Sequence, residues 1–430
     1  MLKQLRNNRL FKNITWIFIG TVLHSLLAFL VNLYVSRKLS LDTKGYIDYA
    51  TSWITFFTGI AGLGYASTIT REFSEDKDRA GDYLCSCIGV QILVSILCIF
   101  LLQVIVRLLN PGEPLLYTIT LCQSTTILFS SFILLVYWFR YQNKANTSAL
   151  LRFISFGAAG IFRILSLVLF DSIIAYVCWT AAESVIYALL LTTFFCRYYK
   201  GTYRFSFKTA WHVLQGSYPF ILATILSTLY AQADRIMLKS MVGSSAVALY
   251  SASVTLASAL SMIPSSLVEG FRPEIMDQKT KDESLYRRRF RQLYAVIFWS
   301  SVCYCTMITL FPQFVISLLY GQKYIDASSS LALVVWYSTF SYFGSVNNMY
   351  MVAEKKAHWV QITTTVGALS NIALNAVLIP KLGIVGAALA SLLTQFVANF
   401  VMMWLVPGLR PGFQLMIEGI TLRKIFKKEK

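Results

Sequence analysis

The sequence predicts an all-α polytopic membrane protein with about twelve transmembrane helices in two six-helix lobes and with both termini in the cytoplasm. Three observations carry this prediction. The 430 residues are 56% hydrophobic and only 13% charged, with a mean hydropathy of +0.60, whereas soluble domains carry about 25% charged residues. The apolar residues form long continuous runs, and the basic residues collect in alternate connections between those runs. This composition excludes an ordinary soluble enzyme and a disordered chain.

Twelve apolar runs are long enough to cross a bilayer, which takes about 20 residues of helix. The runs are continuous, whereas the strands of a membrane barrel alternate in polarity over about ten residues, so the predicted spans are helices. In chain order they cover 14–36, 46–70, 83–109, 115–139, 149–170, 172–196, 216–238, 246–270, 292–312, 330–352, 359–380 and 382–405. The first run follows a basic segment, as a signal peptide does, but it is long and lacks a cleavage pattern, so we predict an uncleaved span.

The net charge of +18 follows the predicted topology. Of the 38 Lys and Arg residues, 28 lie in the two termini and the even-numbered connections, against 6 in the odd-numbered connections. Because basic residues accumulate on the cytoplasmic side of membrane proteins, this distribution predicts that both termini are cytoplasmic. The basic residues then contact anionic lipid headgroups, and no nucleic-acid partner is expected.

The cysteines and histidines do not predict a metal site. All eight cysteines lie inside or at the ends of apolar runs, where we interpret them as small packing residues. The three histidines are scattered along the chain, without the spacing of a zinc site. The chain also lacks the Gly-x-x-x-x-Gly-Lys-[Ser/Thr] loop that binds nucleoside triphosphates. No cofactor is therefore predicted.

A weak internal repeat predicts the domain organisation. The segment 39–50 aligns without a gap on 241–252, at an offset of 202 residues. Two six-helix bundles of like orientation are a recurring plan for transporters. We therefore predict an N-terminal lobe over 1–205 with six spans, a C-terminal lobe over 206–406 with the other six, and a basic cytoplasmic tail over 407–430.

Four segments carry a resemblance to a known family. They are NLYVSRKL (32–39), ADRIMLKSMVG (233–243), LLYGQKY (318–324) and IPKLGIVGAA (379–388). In this order, and over essentially the whole chain, they resemble the polysaccharide-export or O-antigen (Wzx-type) flippases. These flippases belong to one superfamily with the multidrug (MATE) exporters and the lipid II flippase. The last segment is the most specific, and none is a catalytic signature.

The resemblance implies a MATE-like fold and a transport function rather than an enzymatic one. Such a protein moves an undecaprenyl-pyrophosphate-linked oligosaccharide across a bacterial inner membrane by alternating access, for the assembly of O-antigen, lipopolysaccharide or capsule. Its implied partners are the lipid-linked glycan, the lipid bilayer, the polysaccharide polymerase and the chain-length machinery. The alternative is a cation-coupled antiporter of drugs or metabolites with the same fold.

Charged residues inside the apolar runs are the first candidates for a substrate-binding cavity. A charge at mid-membrane costs ~2.5–3.5 kcal/mol, so each requires a partner, water or an interface. Arg163 and Glu183 lie on neighbouring antiparallel spans. Either they form a structural ion pair, or Arg163 meets the pyrophosphate, for which its planar donor fork is suited.

The remaining cavity candidates lie nearer the predicted boundaries or are uncharged. They are Asp48, Arg107, Asp234, Arg235, Asn371 and Asn375. For the four charged residues, the alternative is pairing at the membrane interface. The two asparagines are spaced i, i+4 and share a helix face, where hydrogen bonds between helices are the alternative. Coupling to protons or sodium through Asp48, Glu183 or Asp234 is left open.

Overall fold

The computed structural model describes residues 25–76, 78–259 and 262–422, and within these ranges the regular elements are helices. Helices form because apolar runs in hydrocarbon must satisfy every backbone hydrogen bond within the segment. The first predicted span is described from residue 25 onward. Its earlier part and the basic residues of the tail beyond 422 lie outside the described ranges.

The helices fall into two compact units. Unit 1 comprises Met1–Val35 and Tyr46–Thr228, and unit 2 comprises Ser36–Gly45 and Leu229–Lys430. The boundary lies inside a long helix, after Thr228. The predicted lobes, 1–205 and 206–406, follow from the order of the spans and stay a prediction.

The helices of unit 1 range from 7 to 30 residues in length. In chain order they are α1 (25–38), α2 (Leu41–Ala61), α3 (Ile69–Glu75), α4 (Ala80–Leu109), α5 (Pro114–Ser130), α6 (Leu134–Tyr141), α7 (Ala145–Leu169) and α8 (Ile173–Tyr198). Trp138 packs edge-on against Phe195 in a buried aromatic core, with 4.9 Å between ring centroids. Phe100 and Leu97 on α4 are exposed, which fits a helix facing lipid.

Unit 2 has the same all-helical construction. Its helices are α9 (Phe207–Met241), which begins in unit 1, α10 (Ser244–Ala259), α11 (Met262–Lys281), α12 (Glu283–Leu310), α13 (Pro312–Tyr320), α14 (Ala327–Ala353), α15 (His358–Phe396), α16 (Met402–Leu405) and α17 (Arg410–Ile420). Gly383, with a φ of 57°, bends α15 into two crossings. A π-helical turn, Val397–Val401, joins α15 to α16.

Eight described helical segments have the length and apolarity of membrane spans. The longest, His358–Leu405, holds both arms of α15 and so covers the last two predicted spans. The first, second and tenth predicted spans correspond to α1, α2 and α14, and α1 is described only from residue 25. The described chain is therefore a multi-pass helical membrane protein.

The predicted tail is helical where it is described. Helix α17 packs on α12, and Arg291 Nε donates a hydrogen bond of 2.6 Å to Glu418 Oε2. A Cβ at Gly419 would lie 2.7 Å from the main-chain oxygen of Arg291, so glycine permits this close approach. This part of the chain is thus built into unit 2.

The connection between the first two spans belongs to unit 2. Asp42 accepts hydrogen bonds of 2.6 Å from the hydroxyls of Ser244 and Ser245 at the start of α10, and these bonds lower the pKa of the Asp42 carboxyl. Arg37 donates to a main-chain oxygen in α13 at 2.7 Å. A Cβ at Gly45 would lie 1.9 Å from the main-chain oxygen of Ser244. Hydrogen bonds and close packing therefore hold the connection against α10 and α13.

Candidate functional site

A buried carboxylate with four hydrogen-bond donors lies inside unit 2. Asp234 of α9 is 8% exposed. Its Oδ1 accepts hydrogen bonds from the amide nitrogens of Asn371 at 3.0 Å and Asn375 at 2.5 Å. Its Oδ2 accepts from the hydroxyls of Tyr250, at 2.5 Å, and Ser391. Three of the predicted site residues are thus brought together, and two residues that the sequence did not suggest complete the cluster.

The bend in α15 assembles this cluster. Asn371 and Asn375 lie on one face before the bend, and Ser391 lies after it. Gly383 supplies the positive φ that the bend requires. A Cβ at Gly386 would lie 2.2 Å from a main-chain oxygen before the bend, so only glycine allows the two arms to approach so closely. The segment 379–388, which carries the strongest family resemblance, therefore brings Ser391 toward the asparagines.

The cluster has the chemistry to take up a proton or a small hard cation. All four donors to Asp234 are neutral. The Oδ1 of Asn375 is buried and has no hydrogen-bond partner among the described residues, so rotation of this amide would direct an oxygen toward Asp234. Hard cations take carboxylate and amide oxygens as ligands, and hydroxyls can rotate to accept from a protonated carboxyl. Among the described side chains, no group of three or more His, Cys, Asp and Glu is placed to hold a metal ion.

Arg235 points to different neighbours from Asp234. Its Nε donates to the Ser251 hydroxyl at 3.0 Å, and its Nη1 donates to Gln232 Oε1 at 3.0 Å. Adjacent residues of a helix point about 100° apart, which explains the separation. Arg235 is half-buried and lies beside the Asp234 cluster rather than within it.

Unit 1 contains a buried ion pair. Arg163 of α7 is 6% exposed and donates through Nη2 to Glu183 Oε2 of α8. The guanidinium also lies 5.7 Å from the centroid of the Phe156 ring. Its Nε is buried and has no hydrogen-bond partner among the described residues. The structure therefore contains the ion pair, one of the two arrangements that the sequence left open.

The other two predicted residues of unit 1 occupy different environments. Asp48 of α2 is half-buried. Arg107 is exposed in the last turn of α4, with its guanidinium 5.8 Å from the centroid of the Tyr117 ring. Arg107 thus has the position of an interfacial residue.

Sequence reasoning missed Tyr250 and Ser391. Tyr250 is the tenth residue of the second copy of the internal repeat, and its aromatic side chain gave no sign of a polar role. Ser391 lies among alanines and leucines in an otherwise apolar run. Only the bend at Gly383 brings Ser391 back toward α9, so a small hydroxyl in an apolar run was the one available signal.

These features define a class of protein, namely a multi-pass helical membrane protein with ionisable and hydrogen-bonded groups buried inside its helical units. The model of the family described as "Polysaccharide biosynthesis protein" matches residues 10–273. This match covers more than half of the 430 residues, so the chain belongs to that family. The resemblance seen in the sequence is confirmed.

Similar proteins agree with this assignment. The chain is 22% identical over 404 residues to the capsular polysaccharide biosynthesis protein CapF of Staphylococcus aureus, covering 90% of this chain and 96% of that protein. Its fold is similar to that of the lipid II flippase MurJ, with a TM-score of 0.74, 18% identity and coverage of 95% and 91% of the two chains. It is also similar to a multidrug MATE transporter of the MOP superfamily, with a TM-score of 0.64, 16% identity and coverage of 94% and 96%. The MATE-like fold is confirmed.

Proposed function

We propose that this protein is a flippase that moves a lipid-linked oligosaccharide across the plasma membrane for the assembly of a cell-surface polysaccharide. The observation that carries the proposal is membership of the polysaccharide biosynthesis family in a chain with the twelve-crossing fold of a flippase. The lipid carrier is undecaprenyl pyrophosphate, and the glycan crosses in a polar environment while the polyprenyl chain stays in lipid. The protein acts as a transporter and not as an enzyme.

Movement of the pyrophosphate can draw on the membrane potential. We propose that transport is outward, a direction that an inside-negative potential favours for an anion by about 2.3 kcal/mol per charge per 100 mV. The buried groups allow a second source of energy. We propose that Asp234, with Asn371 and Asn375, binds a coupling proton or sodium ion, because its carboxylate is held by neutral donors alone.

Replacement of the carboxylate tests the coupling. Asp234→Asn keeps the shape of the side chain but turns one acceptor into a donor that faces other donors. We expect flipping in proteoliposomes to fall at least tenfold and to lose its response to imposed proton and sodium gradients. Asp277→Asn is the control, since Asp277 is an exposed carboxylate of unit 2 paired with Lys281. A normal gradient response in Asp234→Asn would exclude this role.

The alternative function is a cation-coupled drug antiporter, which the similarity to a multidrug transporter favours. The two functions differ in what a deletion strain accumulates. A flippase deletion is expected to accumulate lipid-linked repeat units on the cytoplasmic side and to lose surface polysaccharide. Ethidium efflux by the protein, with surface polysaccharide unchanged in the deletion strain, would favour the antiporter.

A further inference from the structure

A polar cavity lies within unit 2, apart from the Asp234 cluster. Its volume is about 230 Å³, and it lies between α11 and α14. Ligand pockets for drug-sized molecules have volumes of about 300–1,000 Å³, so this cavity is suited to one component of a larger ligand. Its lining residues are Ser265, Val268, Glu269, Arg272, Ser345 and Asn348.

The exposed side chains of α14 indicate that this surface meets water. Between residues 330 and 351, the exposed side chains are Ser345 and Asn348, which are both polar. Their neighbours Val346 and Met349 are buried in the apolar core of unit 2. Polar side chains of membrane-spanning helices face other helices or aqueous cavities rather than lipid. The face of α14 that carries Ser345 and Asn348 is therefore a surface for a polar ligand.

The charges that line the cavity compensate each other. Arg272 donates to both carboxylate oxygens of Glu269, through Nε at 2.9 Å and Nη2 at 2.7 Å. The donor fork of Arg272 is therefore directed at a carboxylate and is not presented to a phosphate. The other polar lining residues are uncharged. A pyrophosphate requires a net positive site, and this cavity does not supply one.

We propose that this cavity is a subsite for one uncharged sugar residue of the lipid-linked glycan, an inference that rests on the proposed flippase function. Sugar hydroxyls both donate and accept hydrogen bonds. The cavity offers acceptors on Glu269, further N–H donors on Arg272, and groups of both kinds on Asn348 and Ser345. Asn348 lies five residues before the end of α14, on the predicted cytoplasmic side, where the glycan is loaded.

Binding measurements on the purified full-length protein in nanodiscs test the subsite. The probes are the undecaprenyl-pyrophosphate repeat unit extracted from the deletion strain and sugar-free undecaprenyl pyrophosphate. We expect the wild type to bind the glycosylated lipid more tightly. Ser345→Ala and Asn348→Ala each remove one neutral hydrogen-bonding group, so we expect each to weaken binding of the glycosylated lipid about 3- to 10-fold. Binding of the sugar-free lipid is expected to stay unchanged.

Two further variants separate a sugar contact from general damage. Ser329→Ala is the matched control, because Ser329 is an exposed serine of α14 at the opposite end, and it is expected to bind both lipids as the wild type does. Glu269→Gln leaves Arg272 uncompensated. It is therefore expected to weaken binding of the glycosylated lipid while binding of the sugar-free lipid stays equal or becomes tighter.

The outcomes distinguish the two proposals. A wild-type preference for the glycosylated lipid that Ser345→Ala and Asn348→Ala leave intact overturns the subsite, and the flippase function stands. If these variants bind both lipids equally more weakly while the protein stays monodisperse, the subsite is also overturned. A wild type that binds neither lipid and flips neither overturns the proposed function.

Discussion

The ion pair of unit 1 gives a prediction that separates a structural role from a role in binding substrate. Glu183→Gln leaves the guanidinium of Arg163 buried without its counter-charge. Breaking a buried pair by removal of one partner costs about 3–5 kcal/mol. The side chains of Arg163 and Glu183 are 8% and 23% exposed, so the carboxylate is the less enclosed of the two, and we take the lower end, about 3 kcal/mol. At 2–4 °C per kcal/mol, Tm is expected to fall by about 6–12 °C.

A double-mutant cycle isolates the pair. Arg163→Met is expected to cost less than Glu183→Gln, because the remaining carboxylate can become protonated or contact water. The double variant removes both charges and is expected to be more stable than Glu183→Gln alone, with a coupling energy of about 2 kcal/mol. Thermal unfolding of the detergent-solubilised protein measures each Tm. Arg152→Met, an exposed arginine of the same helix, is the control.

Transport by the same variants completes the test. If the pair acts only in folding, surface polysaccharide at matched expression is expected to recover in the double variant. A double variant no more stable than Glu183→Gln would refute the energetic argument. Recovery of Tm without recovery of transport would assign Arg163 or Glu183 a direct role in transport.

Three further predictions test the outlying parts of the structure. Gly45→Ala places a Cβ 1.9 Å from a main-chain oxygen of α10 and is expected to cost about 3 kcal/mol in thermal unfolding. Gly157→Ala adds a Cβ that meets no described atom within 4 Å beyond the adjacent backbone of its own helix and is expected to leave Tm equal or higher, because alanine favours a helix over glycine. Because folding lowers the pKa of Asp42, its ionised carboxylate stabilises the fold at pH values above the unfolded pKa of 3.8. This stabilisation is lost as the pH falls through the lower pKa of the folded state. The Tm difference between Asp42→Asn and the wild type should therefore shrink in acid, and a constant difference would contradict the assignment. The Sγ atoms of Cys122 and Cys178 are 3.6 Å apart. An added oxidant should therefore join them and protect both from labelling by maleimide. Labelling of both cysteines after oxidation would show that α5 and α8 do not approach each other here.

Much of the fold could be predicted because lipid imposes a simple rule on sequence. Continuous apolar runs had to form helices, and the positions of basic residues predicted an orientation that remains to be tested. The repeat at an offset of 202 was also informative. It equates position 42 with position 244, and in the structure Asp42 and Ser244 are hydrogen-bonded partners within unit 2.

The candidate site was less accessible, because it depends on how helices meet. The i, i+4 spacing placed Asn371 and Asn375 on one face, but their partner Asp234 lies more than 130 residues earlier. Ser391 joins them through a bend in α15 that composition does not reveal, and Tyr250 joins them from α10. Glu269 lies inside the predicted span 246–270, and its bidentate contact with Arg272 depends on local side-chain geometry.

The measurement that tests the flippase function most directly is transbilayer movement of the natural glycolipid. Vesicles containing the purified protein and the lipid-linked repeat unit from the deletion strain are treated with an impermeant reagent that oxidises sugar diols on the outer face. We expect nearly all of the glycolipid to become oxidised, because the protein brings it to the outer face continually. If oxidation stops at about half in vesicles that contain folded protein, as it does in protein-free vesicles, the protein does not flip this glycolipid.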